Sequence, residues 1–150
     1  MIKGKTEPRI FTPPLRPLTP ETSLGFMFNE FCEDVGEPNL PWQKWLSIHA
    51  LEIVGDFPDN WHFRFRYVVI LVSRQNGKTH WVKKLGLFFN YVLQTKLVIG
   101  TAQNLDLAND TFEEAVSLIE DTPMLDQDFD TVRRGAGKRE YQLKHGARWK

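Results

Sequence analysis

Apolar and polar residues change their period several times along this chain, and each change predicts an element. Leu24, Phe26, Met27, Phe28 and Phe31 suit a short amphipathic helix over 24–33. Asn39-Leu40-Pro41 reads as a helix start with Pro41 in the first turn, and Trp42, Trp45, Leu46, His49, Ala50 and Ile53 follow at helical spacing. Gly55 to Asn60 reads as a turn. Trp61 to Ser73 then reads as a strand. Its first half alternates through Phe63, Arg64, Phe65, Arg66 and Tyr67, and Val68-Val69-Ile70-Leu71-Val72 is the continuous β-branched run of a strand buried on both faces.

The pattern turns helical after Gly77 and stays so over Lys78 to Gln94. Lys96 to Thr101 predicts a second buried strand. Asn104 to Glu120 predicts a helix with Leu105, Ala108, Phe112, Ala115, Val116 and Ile119 on one face, ended by Thr122-Pro123. Residues 138–150 alternate about His145-Gly146, as a hairpin does. The succession strand, helix, strand, helix predicts an α/β fold with a parallel sheet and flanking helices. Residues 1–22 hold five prolines and read as an extended arm, which leaves 23–150 as the folded domain.

Composition narrows the function classes. With 150 residues, 41% of them hydrophobic and 25% charged, the chain is long enough to bury a core. The longest apolar run, Tyr67 to Val72, is too short to span a bilayer, and no apolar segment follows Lys3 and Lys5 as a secretory signal requires. Cys32 is the single cysteine, so neither an internal disulfide nor a cysteine-based zinc cluster is available. It follows Phe28 and Phe31 and reads as a small core residue. The net charge is zero, but it is unevenly spread: 97–132 contains no Lys or Arg, while 133–150 holds seven with one acid, Glu140. This reads as an acidic helix face followed by a solvated basic hairpin, or as a basic edge for nucleic-acid phosphates.

The chemistry concentrates at Ser73-Arg74-Gln75-Asn76-Gly77-Lys78-Thr79, where an expected strand runs into an expected helix. Gly77-Lys78-Thr79 is the core of a phosphate-binding Walker A loop. Backbone N–H groups would cradle phosphate oxygens, Gly77 would allow close approach, Lys78 would reach the β- and γ-phosphates of ATP, and the Thr79 hydroxyl would hold Mg²⁺. Val72 stands where the full pattern has its first glycine. Gly135-Ala136-Gly137-Lys138 is a similar fragment, but Arg139 follows it and no apolar strand precedes it, so it reads as a turn.

Companion features are weaker. The Gln43 amide, beside Trp42, could read an adenine edge, or simply sit on a helix packed by Trp42 and Trp45. Gly100-Thr101-Ala102-Gln103 could lie near the phosphates beyond the end of the second strand, or be a plain strand-to-helix turn. Leu118-Ile119-Glu120-Asp121 is a superficial candidate for a magnesium-holding carboxylate, but it continues a helical pattern. Asp126, Asp128 and Asp130 lack the glycine and final Glu of an EF-hand loop, and His49, His62, His80 and His145 show no metal-ligand spacing.

Three of these segments together resemble the large terminase subunit of tailed bacteriophages. Val69 to Thr79, with Arg74 inside the loop, looks like that family's Walker A segment. Pro41-Trp42-Gln43-Lys44-Trp45-Leu46 looks like its adenine-recognising segment, and Gly100 to Gln103 with Leu107-Ala108 like its motif after the second strand. Gly137 to Lys150 resembles the hairpin region before the Walker B strand. The resemblance implies a RecA/ASCE-like P-loop NTPase sheet, incomplete at its C-terminal end, since the Walker B carboxylates and the nuclease domain lie beyond the matched segments. It implies an ATPase that drives double-stranded viral DNA into a capsid in the host cytoplasm. Its partners would be a portal protein and a small terminase subunit, with a homo-oligomeric ring for the full-length protein. Carried over, Lys78 and Arg74 would act on the γ-phosphate, Ser73 to Thr79 would hold the phosphates, Thr79 would hold Mg²⁺, and Gln43 with Trp42 would take the base. A segment of this extent is expected to bind nucleotide and hydrolyse it poorly. Another P-loop ATPase such as a helicase, or a non-enzymatic DNA-binding module with a structural lysine loop, remain alternatives.

Overall fold

Helical periodicity in the first part of the chain becomes two packed helices, α1 (Gly25–Asp34) and α2 (Pro41–Ala50). They bury Leu24, Phe28, Phe31, Cys32 and Ala50. The helix α2 starts at proline, whose missing N–H costs nothing in a first turn. A hairpin follows, β1 (Ile53–Asp56) antiparallel to β2 (Asn60–Phe63). The proline-rich segment is fastened to this unit. Glu52, almost wholly buried, accepts from Arg64 at 2.6 Å and from the Leu15 N–H at 2.9 Å, and Arg64 also donates to the Pro13 carbonyl. Such a pair gains from hydrogen bonds at both ends, because either charge left alone there would be costly.

The computed structural model describes residues 5–135 and 138–150, and it divides the chain into two units, Met1–Ser73 and Arg74–Lys150. The second unit contains α3 (Lys78–Tyr91), β3 (Leu97–Val98), α4 (Leu105–Asp121), the single turn α5 (Pro123–Asp126), β4 (Phe129–Gly135), β5 (Lys138–Leu143) and β6 (Arg148–Trp149). Asn104 caps α4, its side chain accepting from the Leu107 N–H at 3.0 Å. The sheet order is β3-β6-β5-β4, with only β3 and β6 parallel. The turn about His145-Gly146 joins β5 to β6 with Gly146 at φ 90°, where the alternation predicts a hairpin. Ala136 and Gly137, in the expected turn between β4 and β5, lie outside the described residues.

The core of this unit gathers Trp81, Leu87, Phe88, Phe112, Val116, Ile119, Tyr141 and Trp149. Trp149 lies so close to α3 that a Cβ on Gly86 would fall 2.3 Å from its ring. Buried Asn90 ties the end of α3 to the sheet. Its side chain accepts from the Tyr141 hydroxyl at 2.9 Å and donates to the Thr95 carbonyl at 2.9 Å. Among the described residues no helix is long and apolar enough to cross a membrane.

This architecture corrects the expected parallel P-loop sheet. It is mixed α/β, with a four-stranded mixed sheet and a separate two-stranded antiparallel one. The expected strand over 61–73 contributes only its start, to β2. Residues 67–72 join no ladder among the described residues, and Tyr67 and Leu71 are 83% and 94% exposed. The second expected strand shrinks to Leu97–Val98 at the sheet edge, with Ile99 65% exposed. The physical reason is that a parallel strand takes its hydrogen bonds from strands distant in sequence. A β-branched run states a propensity but supplies no partner. The local hairpin forms instead, and β6 takes the place beside β3.

Candidate phosphate-binding loop

The site begins where α3 begins. Gly77 precedes the helix in the left-handed conformation, φ 80°. That conformation is open to glycine and strained for residues with a Cβ, so Gly77 sets the direction in which Lys78 and Thr79 enter the first turn. Gln75 is also left-handed at φ 60°, a strain of order 1 kcal/mol for a non-glycine residue. Left-handed residues alternating with their neighbours turn successive N–H groups to one side, which makes a concavity for anions. The Asn76 side chain donates to the Arg74 carbonyl at 3.1 Å and closes the turn.

Arg74 to His80 line a cavity of about 400 Å³. Among the described residues its wall carries Arg74, Lys78 and His80 and no carboxylate. The first N–H groups of a 14-residue helix open beside it, and these lack intrahelical acceptors. Cationic side chains, turned amides and a helix start together suit a phosphate group. The Thr79 hydroxyl is one of the side-chain groups in this wall that could ligate a metal. Among the described residues no three His, Cys, Asp or Glu side chains group to hold a metal ion.

Comparison with protein-family models, curated proteins and solved structures finds no match to this chain.

The other expected site residues are placed as follows. Ser73 directly precedes the cavity wall and is exposed. Trp42 and Gln43 sit on α2 in the first unit. Gln43 is buried, and its amide oxygen accepts the Leu40 N–H at 2.8 Å, which caps the start of α2. Gly100 follows β3, donates to the Lys150 carbonyl at 2.8 Å and packs against the Trp149 indole. Glu120 and Asp121 close α4, where Glu120 accepts from Arg134 at 3.2 Å and Asp121 from Ser117 at 3.2 Å. Burial raises the Tyr91 phenol well above its ordinary range, and the charges of Asp128 and Asp126 add to it.

The pattern along the chain gave no signal for His80 or Glu114. His80 lines the cavity one residue beyond Thr79, and its Nδ1 lies 3.9 Å from the Glu114 carboxylate on α4. Only the packing of α4 against α3 brings these two together.

Proposed function

We propose that Ser73 to Thr79 bind the phosphates of a nucleoside triphosphate, ATP with Mg²⁺, and that the chain is the ATP-binding segment of a DNA-packaging motor of the terminase large-subunit kind. One observation carries the first part: left-handed Gly77 leads Lys78 and Thr79 into the first turn of α3 at the wall of a cationic cavity. Lys78 would set a positive charge against the β- and γ-phosphates, Arg74 would add a second at the γ end, and Thr79 would hold the metal. Magnesium, when bound, neutralises charge between the two outer phosphates.

The motor reading is supported by the order of the three resembling segments around this loop. Within it, the host cytoplasm is the place of action, and double-stranded DNA, a portal protein and a small terminase subunit are the partners. Slow hydrolysis is expected, because among the described residues the cavity wall offers no carboxylate to orient water.

Titration with a fluorescent ATP analogue, with and without Mg²⁺, tests the site. Unlabelled ATP and ADP should displace the analogue and AMP should not. Equal displacement by AMP would sink the phosphate-loop reading.

A further inference from the structure

The four-stranded sheet of the second unit has two unlike faces. Tyr141 and Trp149 are cross-strand partners and share one face. Tyr141 packs near Phe112 of α4 and Trp149 against Gly86 of α3, so both long helices cover this side. Arg134 and Arg139 oppose each other on the same side, and α4 engages both. Arg134 pairs with Glu113 at 3.1 Å and Glu120 at 3.2 Å, and Arg139 also pairs with Glu113.

The other face carries Arg133, Arg148 and Lys150. Arg133 opposes Glu140, Gln142 opposes Arg148, and Lys150 stands two residues beyond Arg148. Lys150 Nζ lies 2.9 Å from Glu140. That hydrogen bond holds the Glu140 carboxyl below its ordinary range, against the effect of burial, and the charges of Lys150, Arg148 and Arg133 add to it. Three cations therefore share one carboxylate. Leu97 opposes Arg148 and so lies on this side too, 41% exposed.

We propose that this face docks the phosphate backbone of duplex DNA through Arg133, Arg148 and Lys150. The surface gives the motor reading a place for its DNA, but it does not depend on nucleotide binding at the loop. Charge complementarity selects a polyanion. Among the described residues the strands present no aromatic side chain on this face, which removes the stacking platform that single strands use. What remains is phosphate contact, which positions a duplex without reading its sequence. The chain's net charge is zero, so the attraction is local and strongly salt-dependent.

The test is fluorescence anisotropy of a short labelled duplex over a series of salt concentrations. Three phosphate contacts give a log–log slope of about −2.7. Arg133→Gln with Arg148→Gln lowers its magnitude by about two, while Arg134→Gln, on the helix-covered side, leaves it unchanged. Thermal melting followed by circular dichroism checks the fold. If the double variant loses its cooperative melt, Arg133→Gln alone, at an exposed position, must lower the slope by about one. An unchanged slope in the folded variant overturns the proposal. So does competition by polyglutamate as strong as that by unlabelled duplex, which would make an acidic protein the occupant. Failure of nucleotide binding with intact duplex binding would fall on the loop alone.

Discussion

Two apolar stretches flank the candidate phosphate loop, and they end in opposite states. Residues 67–72 before it are the most continuously apolar of the chain, yet they join no ladder and are largely exposed. Residues 78–91 after it are mixed, with three lysines and two asparagine or threonine neighbours of the apolar positions, yet α3 buries Trp81, Leu87 and Phe88. A helix satisfies its own backbone and needs only one face covered, whereas a strand depends on partners for its hydrogen bonds. Hydrophobicity alone therefore does not decide burial here. The loop is held from its helical side.

The largest expected contrast comes from truncating one apolar side chain on each flank. Phe88→Ala should destabilise the second unit by about 3–5 kcal/mol, because it empties a fully buried site. Leu71→Ala should change stability by no more than about 0.5 kcal/mol. Urea unfolding of both variants measures the difference, and comparable losses would mean that 67–72 is packed after all.

Gly86→Ala comes next. The added methyl would meet the Trp149 ring at 2.3 Å, and the required shift should cost about 1–3 kcal/mol. A neutral result would show that α3 and β6 can separate without loss, and would weaken the claim that the loop is anchored through α3.

A smaller effect belongs to the phenol that ties the sheet to α3. Tyr141→Phe removes its bond to Asn90 and should cost about 1–2 kcal/mol. Burial holds the Tyr141 phenol well above its ordinary range, with the charge of Tyr91 adding to it. A pKa raised on folding contributes stability that is complete below the unfolded value of 10.0 and is lost as pH rises beyond it. Wild type should therefore lose stability above about pH 10 more steeply than Tyr141→Phe. Parallel alkaline limbs in urea titrations would contradict the assignment.

The two flanks also explain what could be read along the chain. The helices α1, α3 and α4 lie close to their expected spans, because helical periodicity and caps such as Asn104 act within a few residues. The hairpin about Gly146 was legible for the same reason, since its turn conformation is local. The sheet was not. Whether Val68 to Val72 or Arg148-Trp149 stands in a ladder depends on strands far away in sequence, and no local pattern carries that information. At the candidate site, the turn at Gly77 and the helix start at Lys78 and Thr79 were legible because the loop is one continuous segment. The pairing of His80 with Glu114, and the division of Arg133 from Arg134 onto opposite sheet faces, follow from packing and register.

Nucleotide affinity of Lys78→Ala tests the central claim most directly. A charge-assisted phosphate contact is worth about 1.5–3 kcal/mol, so the variant should bind a fluorescent ATP analogue with Mg²⁺ at least about tenfold more weakly than wild type while melting at the same temperature. Equal affinity in the two folded proteins would contradict the account and leave Gly77-Lys78-Thr79 as an ordinary helix start.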